Sequence, residues 1–227
     1  MSILYIIATP IGNLGDITLR ALEILKSVDL VVCEDTRQTI KLLNHYNIAK
    51  PLVSYWQHSK LSKIEYIGEQ LADGKNIALV TDAGTPGISD PGGKIIEHVT
   101  CNMKQGNDIR IVPIPGSSAV MTALSISGFP TDKFIFMGWP PHKKGRNKFF
   151  EEAVEAEHTV VFYESTHRIL KAMGQLKILI PGRQIVVARE LTKMFESIYR
   201  GTAEEILNKL NEDKNNQKGE LVIIIKK

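Results

Sequence analysis

Short β-branched runs alternate with amphipathic segments through the first half of this chain, and that alternation restricts the fold more than any other feature. Ile3 to Ala8, Asp29 to Cys33, Asn76 to Val80 and Ile109 to Pro113 read as strands. Thr18 to Val28, Thr36 to His45, Leu61 to Asp73, Gly93 to Cys101 and Ser117 to Ser127 carry apolar residues at helical spacing. A strand followed by a helix has enough chain to cross back over a sheet, so the pattern predicts a largely parallel sheet with helices on both faces. Beyond residue 130 the pattern changes. Phe134 to Met137, Thr159 to Tyr163, Gln184 to Ala188, Phe195 to Arg200 and Glu220 to Ile225 read as strands, with helices at Arg146 to Ala156, Thr166 to Leu176 and Thr202 to Leu210. Two neighbouring strands with a short link predict a hairpin, and hence a mixed sheet. The expected class is α/β with two domains, 1–115 and 116–227, the boundary lying near Pro113–Gly116.

The 227 residues are 43% hydrophobic, enough for one large core or two smaller ones. No apolar run reaches the length of a membrane-spanning helix. The opening MSILYIIATP lacks a basic start and breaks at Thr9-Pro10-Ile11-Gly12, so it reads as a first strand and not as a targeting segment. Cys33 and Cys101 show neither metal spacing nor a disulfide framework. Two packed thiols in a reducing, cytoplasmic setting are expected. Residues 1–116 hold 11 basic and 12 acidic side chains, and residues 117–227 hold 17 and 13. The second half is therefore the better candidate for an anionic partner.

Three loops carry residues that serve a site better than a core. Thr81 to Gly92, TDAGTPGISDPG, has three glycines, two prolines and two aspartates in twelve residues. Glycine lets backbone approach a ligand and proline stiffens the turn. Ala8 to Thr18, ATPIGNLGDIT, and Pro113 to Ala119, PIPGSSA, also follow predicted strands. In a parallel sheet all three fall on one edge, where small-molecule sites form. Ser117 or Ser118 could cap the helix that follows the third loop. None of them is a GxGxxG fingerprint, a P-loop or a GxSxG elbow. His58, His142 and His167 lack metal spacing. Three further corners mix acid and base: Glu34-Asp35-Thr36-Arg37, Tyr163-Glu164-Ser165-Thr166-His167-Arg168 and Arg189-Glu190-Leu191-Thr192-Lys193. Each alone also fits a helix cap or a surface ion pair. Together they suggest a polar cleft wall.

Taken in order, ATPIGNLGDIT, CEDTR, TDAGTPGISDPG, PIPGSSA, FYESTHR and ARELTK resemble the ribosomal RNA small subunit methyltransferase I family, in the tetrapyrrole-methylase-like class of S-adenosylmethionine-dependent methyltransferases. The resemblance runs from about Leu4 to Gly201. It implies two α/β domains with the cofactor in a cleft between them, a fold distinct from the Rossmann type. It also implies methylation of a cytidine ribose 2′-hydroxyl in the decoding region of 16S rRNA, by a cytoplasmic homodimer. Carried over by position, it assigns Pro10, Ile11, Gly12, Gly84, Thr85, Ile88, Ser89, Ser118 and Ala119 to the cofactor, with Tyr163, Glu164 and Ala188 from the second domain. The first loop, TPIGN in place of a GxGPG type, is that of the ribosomal RNA branch and disfavours a porphyrin substrate. Many family members carry an extra small C-terminal domain; here the sequence stops at Lys227, and that domain is expected to be absent.

Methyl transfer to a ribose hydroxyl needs an in-line arrangement and gains from a base that takes the hydroxyl proton. Asp35 and Glu164 are the first candidates for that base, with Arg37, Arg168 or Lys193 to hold phosphate or steady the alkoxide. Lys133, Lys143, Lys144, Arg146 and Lys148 cluster near Trp139 and Pro140-Pro141, which suits 16S rRNA or the 30S subunit as partner. Lys143, Lys144, Arg146 and Arg168 are the expected RNA contacts, and no metal is expected. The alternatives are a small-molecule methylase of the same fold and a catalytically silent module that binds the cofactor.

Overall fold

The computed structural model describes residues 1–56, 59–104 and 108–227; His58 lies outside them. The chain divides into two units, Met1–Ser118 and Ala119–Lys227.

In the first unit, β1 (Ser2–Ile7), β2 (Leu30–Cys33), β3 (Leu52–Ser54), β4 (Ile77–Leu79) and β5 (Ile109–Ile114) form a parallel sheet in the order β3-β2-β4-β1-β5. The connecting helices are α1 (Leu19–Ser27), α2 (Thr36–His45), α3 (Leu61–Ala72) and α4 (Gly93–Lys104). Strand side chains alternate between faces, so each face acquires its own core. Leu30 and Val32 pack with Ile64, Ile67 and Leu71 of α3 and with Ile95 and Val99 of α4. Val31 and Cys33 pack with Ala21 and Leu25 of α1 and Leu43 of α2. Thr18 and Asp35 cap α1 and α2, each accepting a backbone N–H with its side-chain oxygen.

The expected helical and strand segments of this unit are present, with ends moved by at most three residues and α2 as expected at both ends. The sequence pattern misses β3 because it is three residues long, only partly buried and at the sheet edge. Cys33 is fully buried, and burial pushes its thiol pKa up. Cys101 corrects the expectation of two packed thiols: it is exposed on α4.

The second unit holds α5 (Ala119–Ser125), β6 (Phe134–Phe136), α6 (Arg146–Glu155), β7 (Thr159–Ser165), α7 (Ile169–Leu179), β8 (Ile185–Arg189), β9 (Ser197–Gly201), α8 (Ala203–Glu212) and β10 (Glu220–Ile225). Its sheet order is β6-β7-β10-β8-β9, with β6 parallel to β7 and the other pairs antiparallel. The hairpin and the mixed sheet are both as expected. The helix expected at Thr166 begins three residues later. Strand β7 runs on to Ser165, and Thr166 is tied to Gly219 by two 2.8 Å hydrogen bonds, which holds that corner off the helix.

Phe149, Phe150 and Phe162 meet edge to face in the core of this unit, with centroids 5.4–5.8 Å apart. Phe162 and Phe150 are fully buried. Phe162→Ala should therefore cost about 3–5 kcal/mol of stability, measured as a lower midpoint in urea denaturation. A loss under about 1 kcal/mol would show that the cluster is not a packing centre.

Candidate functional site

Parallel register places the ends of β4, β1 and β5 side by side, and the three glycine- and proline-rich loops leave from those ends. They are joined directly. The Thr9 N–H donates to the Gly84 carbonyl and the Gly84 N–H donates back, both at 2.9 Å. The Thr9 hydroxyl donates to the Thr81 carbonyl at 2.9 Å. From the middle loop, the Thr85 hydroxyl donates to the Ser117 carbonyl at 3.2 Å, and the Ser117 hydroxyl donates to the Asp16 carbonyl at 3.3 Å. A Cβ on Gly116 would lie 3.0 Å from the Ala8 Cβ, so this glycine lets the third loop close on the first. Gly84 sits at φ +86° and Ser89 at +61°, left-handed backbone that a serine adopts at a cost. Pro10, Ile11 and Gly84 are buried as the floor, while Gly12, Ile88 and Ser89 are exposed. Ser118 directly precedes α5, which begins at Ala119, so Ser117 is one residue too early to cap it.

Beside this cradle stands a corner of three carboxylates, at the ends of the adjacent strands β2 and β4. The Asp35 N–H donates to Asp82 Oδ1 at 3.0 Å, and the Thr81 hydroxyl lies 3.4 Å from Glu34 Oε2. Asp35 accepts from the Arg37 backbone N–H at 2.8 Å and from its guanidinium at 2.6–3.1 Å. Those bonds hold its carboxyl at about 2, below the usual range. Glu34 and Asp82 move the other way. Burial pushes both up, and the Asp82 charge adds to the effect on Glu34. Asp35 is thus the weakest base of the three. The Glu34–Asp82 proximity escapes sequence reading because the two positions are 48 residues apart. A hint lies in Glu34-Asp35 closing one predicted strand and Asp82 following another.

In the second unit the structure corrects two expectations. Glu164 is 0% exposed and sits between two arginines: Arg146 Nη2 at 2.7 Å and Arg168 Nε at 3.0 Å. A carboxylate so enclosed has no path to a substrate hydroxyl, so Glu164 is not the base. Arg146 is itself only 4% exposed and stacks on the Phe150 ring, so it is not an RNA contact. Instead, Arg146 donates to the Pro141 carbonyl at 3.5 Å and Arg168 to the Pro140 carbonyl at 3.1 Å. The buried charges fasten the segment that carries exposed Trp139, Lys143 and Lys144. Arg168, one-sixth exposed, is likewise committed to this network.

Lys193 pairs with Glu190 at 3.0 Å and Glu220 at 2.9 Å. Burial alone would lower its ammonium pKa, but hydrogen bonds to those carboxylates outweigh burial and raise it. Tyr163 is partly exposed, and its ring lies 5.1 Å from that of Trp139; Ala188 is fully buried in β8. Arg37 is exposed, with its guanidinium on Asp35.

Residues 3–207 match the family model described as Tetrapyrrole (Corrin/Porphyrin) Methylases. The chain is 46% identical over 224 residues to the ribosomal RNA small subunit methyltransferase I of Escherichia coli O157:H7, covering 98% of this chain and 77% of that protein. It is 44% identical over 228 residues to the protein of the same description from Bacillus subtilis strain 168, covering 99% and 75%. Among solved structures, the methyltransferase CobJ matches with a TM-score of 0.68 at 19% identity, over 99% of this chain and 93% of that one. Diphthine synthase matches with a TM-score of 0.68 at 13% identity, over 100% and 90%.

Removing the buried carboxylate tests its role in the second unit. Glu164→Ala should cost about 3–5 kcal/mol in denaturant unfolding, because it strands the Arg146 charge. Adding Arg146→Met to Glu164→Met should recover most of that loss. A double variant as unstable as Glu164→Ala would mean that the Arg146 pair is not the carboxylate's main role, leaving Arg168 as its partner.

Proposed function

This chain belongs to the ribosomal RNA small subunit methyltransferase I family, within the tetrapyrrole methylases, and we propose that it methylates the ribose 2′-hydroxyl of a cytidine in the decoding region of 16S rRNA, with S-adenosylmethionine as donor. The chain is a methyltransferase; the donor, the RNA and the atom modified are the proposal. The observation that carries it is the depth of the match. Relatives described as acting on small-subunit ribosomal RNA are 42–47% identical over 98–99% of this chain. The solved structures that match share only the fold, at 13–20% identity. Cytoplasmic action as a homodimer completes the proposal.

The first unit's cradle fits such a donor. Gly84, with no side chain, lets the middle loop close on Ile11 and Ser117, Ile88 offers an exposed apolar contact, and the nearby Asp82 carboxylate suits a cationic ligand. When bound, S-adenosylmethionine supplies an electrophilic methyl on a sulfonium. Pro10, Ile11, Gly12, Gly84, Thr85, Ile88 and Ser89 hold it, and the Thr9–Gly84 hydrogen bonds keep the first two loops in register. Ser118 and Ala119, where the third loop runs into α5, are proposed as further contacts.

Asp82 takes the hydroxyl proton. It is the most exposed of the three though still partly desolvated, whereas Glu34 is half-buried on Thr81 and Asp35 is held by Arg37. A base must be unprotonated to act, and burial raises Asp82 above an ordinary carboxylate. Turnover should therefore fall as pH drops through that raised value. Asp82→Asn should lower kcat by at least about 100-fold, beyond any weakening of donor binding, while Asp35→Asn keeps most turnover. Labelled methyl transfer to 30S subunits and to naked 16S rRNA measures both, and near-normal turnover by Asp82→Asn would remove it as the base.

Lys143 and Lys144 are proposed to meet RNA phosphate. Their joint reversal to glutamate should weaken RNA binding. It should also flatten the slope of log affinity against log salt by about 1.4, at ~0.7 per phosphate on a single strand. An unchanged slope would place the RNA grip elsewhere.

A further inference from the structure

A groove of about 1,020 Å³ opens on the first unit at the β3 edge of the sheet, away from the glycine loops. Its lining includes Trp56, Tyr66, Lys60, Lys63, Thr36 and Ser54. Trp56 is 50% and Tyr66 41% exposed, two large aromatics presenting surface to one open groove. Lys60 and Lys63 supply positive charge, and among the described residues the lining is rich in hydroxyls and includes no carboxylate. Lys63 Nζ reaches the Ser54 hydroxyl at 3.0 Å, which holds its charge over the groove floor. Lys60 occupies the N-cap position of α3 and makes no side-chain bond to the first turn.

The groove adjoins the carboxylate corner. Cys33 is in register with Ser54, and the Tyr55 N–H donates to the Cys33 carbonyl at 2.7 Å. Thr36, on the groove wall, directly follows Asp35, whose N–H is on Asp82. Along one sheet edge the order is therefore groove, carboxylates, glycine-loop cradle.

We propose that this groove is a binding site for single-stranded RNA, in which Trp56 and Tyr66 stack on unpaired bases, Lys60 and Lys63 meet phosphate, and the strand is led to the carboxylate corner. This rests on the reading of the chain as an RNA methyltransferase. Aromatic faces combined with cations and hydroxyls are the chemistry that recognises unstacked nucleotides. A basic or purely apolar partner would be poorly matched by this lining.

The test compares wild type, Trp56→Ala, Trp56→Phe and Lys60→Glu. Each is measured for binding to naked 16S rRNA across a salt series, for S-adenosylmethionine affinity, and for methyl transfer to rRNA and to 30S subunits. Trp56→Ala should raise the RNA Kd about tenfold, within the range for one base–aromatic stack, and leave donor affinity unchanged. Trp56→Phe should restore most of the loss. Lys60→Glu should reduce the salt slope by about 0.7. Unchanged RNA affinity in both Trp56→Ala and Lys60→Glu overturns the proposal. If Trp56→Ala binds naked RNA normally but fails on 30S subunits, the occupant is a ribosomal protein, and the proposal is again overturned. If wild type itself places no label in RNA, the parent reading fails and this one with it, an outcome distinct from the other two.

Discussion

Strand β1 lies between β4 and β5, and the chemistry of the first unit follows from that position. Parallel strands end on the same side, so the segments leaving β4, β1 and β5 are neighbours although they are separated by up to about a hundred residues. Thr9 and Gly84 then exchange two backbone hydrogen bonds beyond the strand ends, extending the sheet into the loops. A left-handed glycine is required there, since a side chain at φ +86° would be strained. The carboxylate corner depends on the next pairing in the same sheet, β2 on β4, which brings Asp35 onto Asp82.

The second unit solves a different problem, that of holding a basic, proline-containing segment in one place. A loop exposing Lys143 and Lys144 repels itself and gains little from burial. Here Glu164, fully buried, pairs with two guanidiniums that reach out to the carbonyls of Pro140 and Pro141. Buried ion pairs contribute little net stability because desolvation offsets attraction. What this one supplies is direction: the arginines' remaining donors fix where the loop backbone sits.

Alternation of apolar runs made most elements legible, because strands buried on both faces and amphipathic helices differ in period. Clustering of the glycine loops was legible too, once the sheet was read as parallel. Strand β3 was not, because three part-buried residues carry no periodicity. Glu164 and Arg146 looked like site residues because acid and base beside a strand end read alike whether exposed or buried; only the packing of Arg146 on Phe150 separates the cases. Asp82 lies inside a loop whose glycines point to a ligand and not to an acid. Its neighbours come from another strand, and pairing order is not written in local sequence.

The position of β10 bears on how the molecule is made. It is the last strand of the second unit in chain order, yet it lies at the centre of that unit's sheet, paired with β7 on one side and β8 on the other. Until Glu220–Ile225 has left the ribosome, β7 and β8 each present an unpaired apolar edge. The first unit can close once β5 is synthesised, while the second stays open for its whole length of synthesis. A chain emerging vectorially therefore carries its aggregation risk late, and a nascent second unit, even nearly complete, is still a sheet without its middle strand.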